Sequence, residues 1–399
     1  MRIESISEAY EFAGSGVFNT PSQASEPGPL ALGAAYSFDF YAAPGPSLSF
    51  ATMFVQSNDL FCAPAEAGIA LYAEEGSPIS ADVTAQISLW DAGTEINQEP
   101  GIGSQQAPRQ AAPNSGDAEN GVVQLAADGY SYPSVGEHIQ VNIENTGENQ
   151  FSARIENISS DESLLLAPGV WVVHGEAGAL FSVGQSDSGA GLEALAEDGD
   201  PSSLGDALDA RSGLNVLLAP GVWAIHTDPG VFFNAGQADR ADGLEALAED
   251  GDPSGLADAT QDYMGVISQG VFNTPSSADA PGPLTPDLAY QFVVTASADY
   301  YLSLATMFVQ SNDVFSAPAQ SGISLFDENG DPLSGDITDL FFLWDAGAEI
   351  NQVPGYGSQQ ALRQPGPNTG AEENGTVDVV AEGFLFPEGA IRITITPNS

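Results

Sequence analysis

The sequence specifies an all-β protein built as two antiparallel β-sandwich domains with short helical inserts. Three observations point there. Segments such as YSFDFYA, LSFATMFV, AQISLW and HIQVNIE are short and either alternate or are rich in β-branched and aromatic residues. Clusters of Gly, Pro, Asn and Asp bound them, and 44 Gly and 27 Pro punctuate the chain throughout. Finally, a long block occurs twice at a fixed offset of 254, so a folding unit has been duplicated. The exception is LEALAEDGDPSGLADAT, which reads as two short helical turns around a Gly-Asp-Pro break.

The long block carries an acidic cassette. ATMFVQSND (51–59) and LWDAGTEINQEPG (89–101) return as ATMFVQSND (305–313) and LWDAGAEINQVPG (343–355). Each cassette continues into GSQQA, an arginine (Arg109, Arg363) and a PN(S/T)G turn. A shorter unit repeats at offset 52: LAPGVWVVH (166–174) as LAPGVWAIH (218–226), and GLEALAEDGDPS (191–202) as 243–254. The chain therefore runs long unit (9–145), short unit (150–212), short unit, long unit. A short unit has too few strands to bury its own apolar faces, and its GVW strand needs a long unit to pack on. The second short unit runs straight into the second long unit, giving a domain over 213–399. The first short unit is left for the long unit that precedes it, giving a circularly permuted domain over 1–212. On that reading Trp171 packs near Phe54 and Trp90. The alternative is exchange of short units between chains, which builds a self-assembling array.

The formal charge is −48, from 55 acidic residues against seven arginines and no lysine. Such a chain lacks the cations to neutralise phosphates, which excludes nucleic acid as a partner. Anionic membrane surfaces repel it unless a divalent cation bridges the two. A high-salt environment explains the imbalance, because molar salt shortens the Debye length to about 3 Å. A calcium-loaded surface protein is a second, compatible explanation. Cys62 is the single cysteine, so no disulfide framework exists, and it reads as a small core residue. The opening MRIESISEAYEFAG shows no signal-peptide pattern, and no apolar run is long enough to span a membrane.

The cassettes carry the chemistry. Calcium takes six to eight oxygens, and sandwich loops can converge several carboxylates on one ion. SND supplies Asp59 beside an Asn amide, and D-A-G-T-E supplies Asp91 and Glu95 across a glycine turn. The second copy offers Asp313, Asp345 and Glu349. Thr94 becomes Ala348 while the acids stay, which favours a role for the carboxylates. A turn-capping role for Asp91 stays open beside the metal role. DENGDPLSGD (327–336) reads as a hairpin turn, because its counterpart AEEGSPISAD breaks the acidic pattern. AEDGDPS (196–202, 248–254) reads as a helix-ending turn, and Trp90, Trp171, Trp223 and Trp344 read as core. His174 and His226 read as structural, and Arg109 and Arg363 as partners of loop carboxylates. Catalysis has little support. Asp91 and Glu95 could form an acid/base pair, but no nucleophile elbow, HExxH, CxxC or phosphate-cradling glycine loop occurs.

Taken together, LAPGVWVVH, GLEALAEDGDPS, GVFNTP, ATMFVQSND, LWDAGTEINQEPG and APRQ…PN(S/T)G resemble the spondin domain, and its prokaryotic branch in particular. The resemblance covers nearly the whole chain. It implies a C2-like β-sandwich, a calcium ion held by loop acidic residues, and a secreted or surface-attached adhesion module without enzymatic activity. By that resemblance the metal ligands are Asp59, Asp91 and Glu95, with Asp313, Asp345 and Glu349 in the second copy. A protein or glycan surface ligand is then the expected partner. A self-assembling subunit of a surface filament or array is the alternative, and a carboxylate-based hydrolase the remote one. The chain departs from the family in its order of units and in lacking the cysteines of animal members.

With this charge, low ionic strength lets the acidic surface repel itself. Melting temperature is expected to rise with added salt. Equal stability in dilute buffer and in molar salt, read by calorimetry, would refute the high-salt reading.

Overall fold

The computed structural model describes residues 1–399 apart from 381–383, 385, 387–388 and 399. Its strands form four antiparallel sheets, arranged as two sandwiches with short helices. One compact unit is Tyr10–Gly213 and the other is Met1–Ala9 together with Leu214–Ser399.

In the first sandwich the strand Leu166–His174 lies between Phe12–Phe18 and Ser47–Phe54 and pairs antiparallel with both. It is buried on both faces, which is why LAPGVWVVH is apolar nearly throughout. The sheet continues through Leu60–Pro64, Ile87–Asp91 and Gln124–Leu125. The opposing sheet runs Ala35–Tyr41, Gln150–Asn157, Ile139–Gly147, Ala81–Asp82. Gln150–Asn157 alternates strictly between half-buried and buried positions, as a strand with one face on the core must. Phe18, Tyr36, Phe50, Val141, Phe151 and Ile155 fill the space between the sheets. The other face of the larger sheet is covered by the helices Leu192–Asp198 and Ser202–Asp209 through Val170, Val172, Leu195 and Leu204. The AEDGDPS segment is the break between those helices. Gly199 closes the first at φ 68°, and the Asp200 carboxylate accepts the Ser202 N–H at 3.0 Å to start the second.

Trp171 stacks on Phe38, with ring centres 5.4 Å apart, and lies 5.7 Å from Phe40. The first short unit thus pairs with the long unit that precedes it. Its neighbours differ from those expected. Phe54 is paired with Leu166, several residues back along the strand, and Trp90 packs against Phe181 under the helices. The alternation of the strand is the reason: Trp171 faces the opposing sheet while Val170 and Val172 face the helix layer that holds Trp90. A Cβ at Gly16 would lie 2.7 Å from the indole nitrogen of Trp171, so only glycine lets the ring lie across that strand. Cys62 is buried in the same core, where burial pushes its thiol up to about 12.

The second sandwich repeats the plan around Leu218–His226, which pairs with Val266–Phe272 and Tyr301–Phe308. One strand comes from elsewhere in the chain. The place of Gln150–Asn157 is taken by Arg2–Ser5, between Ile391–Ile395 and Ala289–Gln291. Residues 1–9, which the sequence reading placed in the first domain, therefore belong to the second. The registers match: Arg2 and Ile3 oppose Thr394 and Ile393 as Arg154 and Ile155 oppose Asn142 and Val141. The ion pair Arg2–Glu4 repeats Arg154–Glu156. MRIESIS (1–7) matches ARIENIS (153–159), a signal present in the sequence but too short to stand out beside the longer repeats. In chain order, the whole first sandwich is inserted between this strand and the rest of the second. Among the described residues, no helix is long and apolar enough to cross a membrane.

Ile3 is fully buried at the centre of this arrangement. Ile3→Asp is expected to destabilise the second sandwich by on the order of 4 kcal/mol, through lost burial and an unpaired buried charge. Hydrogen exchange should then accelerate in 289–291 and 391–395 but not in 35–41 or 150–157. Uniform acceleration across both sandwiches would refute the assignment of residues 1–9.

Candidate metal centres

The cassettes fold so that two aspartates face each other. Asp59 precedes the strand Leu60–Pro64, and Asp91 ends the neighbouring strand Ile87–Asp91, with Leu60 and Asp91 in register. After Asp91 the chain turns on Gly93, whose φ is +70° and whose added Cβ would lie 2.6 Å from the Val122 nitrogen. This turn aims the N–H groups of Thr94 and Glu95 at one oxygen of Asp59, at 2.7 and 3.1 Å. The other oxygen, Oδ1, is buried and has no hydrogen-bond partner. One oxygen of Asp91 accepts the Gly93 N–H at 2.8 Å, and the other accepts the Asn97 amide at 3.0 Å. The turn-capping role of Asp91 is therefore real, and it coexists with a place in the acidic cluster.

Carboxylate oxygens of Asp59, Asp91 and Glu119 lie within 4.8 Å of one another, as do those of Asp313, Asp345 and Glu373. Both clusters have the composition to hold a metal ion. Asp59 and Asp313 are 0% exposed, whereas Glu119 and Glu373 stand at the surface. The second site repeats the first closely: Asp313 accepts the N–H groups of Ala348 and Glu349 at 2.7 and 3.0 Å, and its Oδ1 is likewise buried without a partner.

Two expected ligands are corrected. Glu95 and Glu349 lie outside the clusters. The Glu95 carboxylate turns away to accept the Gly116 N–H at 2.6 Å and the Asn58 amide at 3.2 Å. Glu349 does the same with Gly370 at 2.7 Å and Asn312 at 3.1 Å. The reason is geometric. Their backbone N–H groups are committed to Asp59 and Asp313, and that fixes the side chain on the far side of the turn. Glu119 and Glu373 take their place, each held by its own N–H on the carbonyl of residue 94 or 348. They were legible as the repeated Glu-Asn-Gly of 119–121 and 373–375.

Two further acids were missed as site neighbours. Glu197 and Glu249, in the repeated helices, are buried, and each has one oxygen without a partner. Burial first, and then the charges of Glu95 and Glu349 among others, push them up to about 8. The same helices anchor the PN(S/T)G turn. The Asn114 side chain and Gln110 donate to Glu193 and Asp198 at 2.9 and 2.7 Å.

The remaining candidates are structural. Arg109 donates to the Gly103 carbonyl at 2.8 Å, to Gln56 at 3.0 Å and to Gln106, rather than to a carboxylate as expected. Arg363 repeats the bond to the carbonyl of Gly357 at 2.7 Å and to Gln360 at 2.6 Å. These arginines tie the loop to its own backbone. His174 and His226 are buried, and each bridges to a serine of the neighbouring strand, Ser49 at 2.8 Å and Ser303 at 2.9 Å. Asp327 accepts the N–H groups of Asn329 and Asp331 at 2.8 and 2.9 Å, which makes DENGDP a hairpin turn.

Compared with protein-family models and with curated protein sequences, the chain finds no match in either.

Burial, and then repulsion from Asp91, pushes Asp59 up to about 7, and Asp313 rises likewise through burial and Asp345. Asp91 is pushed up to about 6, mainly by burial. A carboxyl raised above its unfolded value of 3.8 favours the folded state while protonated, and that contribution is lost as pH rises through the folded value. The metal-free protein is thus expected to lose stability between about pH 4 and 8. Excess calcium should reverse the loss, with a gain in melting temperature that grows with pH. A calcium effect that is flat across this range would count against metal binding by these carboxylates.

Proposed function

We propose that each sandwich binds one calcium-class ion between Asp59, Asp91 and Glu119 or between Asp313, Asp345 and Glu373. The observation that carries this reading is the unpartnered Oδ1 of Asp59 and of Asp313. A fully buried carboxylate oxygen with no donor, beside a second carboxylate, is costly unless a cation or proton meets it. The donor set is all oxygen, which suits a hard cation and not zinc or copper. Water completes the shell on the side where Glu119 and Glu373 reach the surface. The ion ties strand ends and loop together at one end of each sandwich.

On this basis, and on the resemblance to spondin domains, the chain acts as a calcium-organised adhesion or interaction module at the cell surface or outside the cell. The ion organises loops; the partner is a protein or glycan surface. The described clusters contain carboxylates capped by backbone, with no nucleophile held by a base.

Calorimetric titration of chelator-stripped protein with calcium is expected to give two sites per chain. Asp59→Asn and Asp313→Asn should each remove one. In the absence of metal each variant should be more stable than the parent, because the amide removes a buried charge that nothing neutralises. Two sites retained in either variant, or no saturable binding, would sink the metal reading. Chains coupled to beads should aggregate or adhere to cells only with calcium, and calcium-independent adhesion would sink the module reading while leaving the metal sites standing.

A further inference from the structure

We infer that the second sandwich carries a binding site for a primary ammonium group, supplied by a free amine or by a lysine of another protein, between Glu249 and Asp239. A cavity of about 330 Å³ opens beside the second cassette, and its lining includes Asp239, Ala241, Glu245, Glu249, Ala348 and Glu349. Glu249 is only 2% exposed, and its Oε2 is buried with no hydrogen-bond partner. Asp239 brings a second oxygen of this kind. Its Oδ2 accepts the Ala241 N–H at 3.0 Å, while Oδ1 is buried and unpartnered. The other two acids are already engaged: Glu245 accepts the Asn368 amide at 2.8 Å, and Glu349 accepts the Gly370 N–H and the Asn312 amide. The cavity thus offers two unmet acceptors inside a wall of negative charge, and among the described residues no arginine lines it.

The first sandwich differs at the positions that matter. There the Thr94 hydroxyl lies against Glu197 and favours its charged form. Ala348, at the matching position, carries neither that hydroxyl nor the methyl group beside it. Asp187, the counterpart of Asp239, precedes Gly189 at φ 77°, whereas Asp239 is fixed by Ala241 at φ 57°. Glycine takes that left-handed conformation freely and alanine does so under strain, so the second copy holds Asp239 in place at a cost. The occupant is an organic cation and not a metal. The carboxylates that converge to metal reach nearby are those of Asp313, Asp345 and Glu373, and neither Glu249 nor Asp239 is among them. A guanidinium forks onto two free oxygens of one carboxylate, and Asp239 has one of its oxygens engaged. An ammonium directs three N–H donors apart and can meet one oxygen on each of two residues. No aromatic ring lines the cavity, which disfavours a quaternary ammonium. A cation placed there neutralises buried charge that the surroundings penalise.

The site lies beside one proposed metal centre and does not depend on it, and the test keeps the two apart. The probes are n-butylammonium chloride and a Gly-Lys-Gly peptide capped at both ends. Each is titrated calorimetrically into the full chain in chelator and molar sodium chloride, where the attraction of the acidic surface for cations is screened. Saturable one-to-one binding is expected, and n-butanol, of the same length without the charge, should not bind. Tighter binding of butylammonium assigns the site to a free amine, and tighter binding of the peptide assigns it to a lysine of a partner; either supports the inference. Glu249→Gln and Asp239→Asn should each weaken binding by roughly tenfold or more. Ala348→Thr should weaken it as well, by setting a hydroxyl against Glu249. Asp331→Asn, in the exposed hairpin turn, should leave binding unchanged and controls for surface charge. Glu249→Gln keeps the shape of the side chain and removes a buried charge, so it should fold, and it should retain both calcium sites. The inference is overturned if neither probe saturates, if n-butanol binds as well, if Glu249→Gln binds the ammonium as tightly as the parent, or if calcium in place of the ammonium fills a site that Glu249→Gln lacks.

Discussion

The pairing of one strand with two others governs the architecture. Leu166–His174 in the first sandwich and Leu218–His226 in the second each lie between two strands of a long unit that do not pair with each other. Remove that strand and the larger sheet divides, with unpaired backbone groups exposed along both new edges. The helices that follow it in sequence cover the outer face of the sheet and dock on the cassette loop through Glu193 and Asp198. A long unit therefore cannot close its core or order its acidic loops alone. The two kinds of unit stay together whatever their order in the chain.

That constraint explains how one architecture is cut in different places. In the first sandwich the break falls between the second helix and the strand Phe12–Phe18; there the Gly213 N–H still reaches the Phe12 carbonyl at 3.0 Å, as a continuous chain would place it. In the second, that connection is intact, and the hairpin of the smaller sheet is open instead. The same strand order forms in both, so the cut sites change connectivity and leave the arrangement of the sheets in place. The N-terminal strand shows how little sequence such a join needs. One buried isoleucine, one Arg–Glu pair and the correct register identify its place.

The sequence made the fold class legible because strand alternation and turn residues repeat along the chain, and duplication doubled the signal. Asp59 and Asp91 were legible for the same reason. Three things were not. The face of Trp171 was misread because sequence proximity of motifs does not say which side of a strand meets which layer. Glu95 and Glu349 were misassigned because a four-residue spacing across a glycine turn brings backbones together, while the direction of the turn sends the side chain away. Glu197 and Glu249 sit in a segment that reads as a solvated acidic turn. The structure divides that segment into a buried glutamate facing the cassette and surface aspartates that cap helices. Only burial distinguishes them, and burial is a property of the packed sandwich.

The two electrostatic problems of this chain have different solutions. The surface charge is long-ranged and solvent-facing, so mobile ions screen it, and any monovalent salt at sufficient concentration serves. The repulsion between Asp59 and Asp91 is short-ranged and buried. Mobile ions do not reach it, because both residues lie beneath the loop that caps them. Inside that loop a charge is answered only by a bound proton or a coordinated cation. A proton neutralises one oxygen and leaves the other groups as they are. An ion held there, as proposed, would draw both aspartates and the surface glutamate to a common centre and fix the relative positions of two strand ends and the loop 116–121. On the high-salt reading, screening answers the surface charge, whereas the buried pair calls for a bound proton or ion that monovalent salt does not replace.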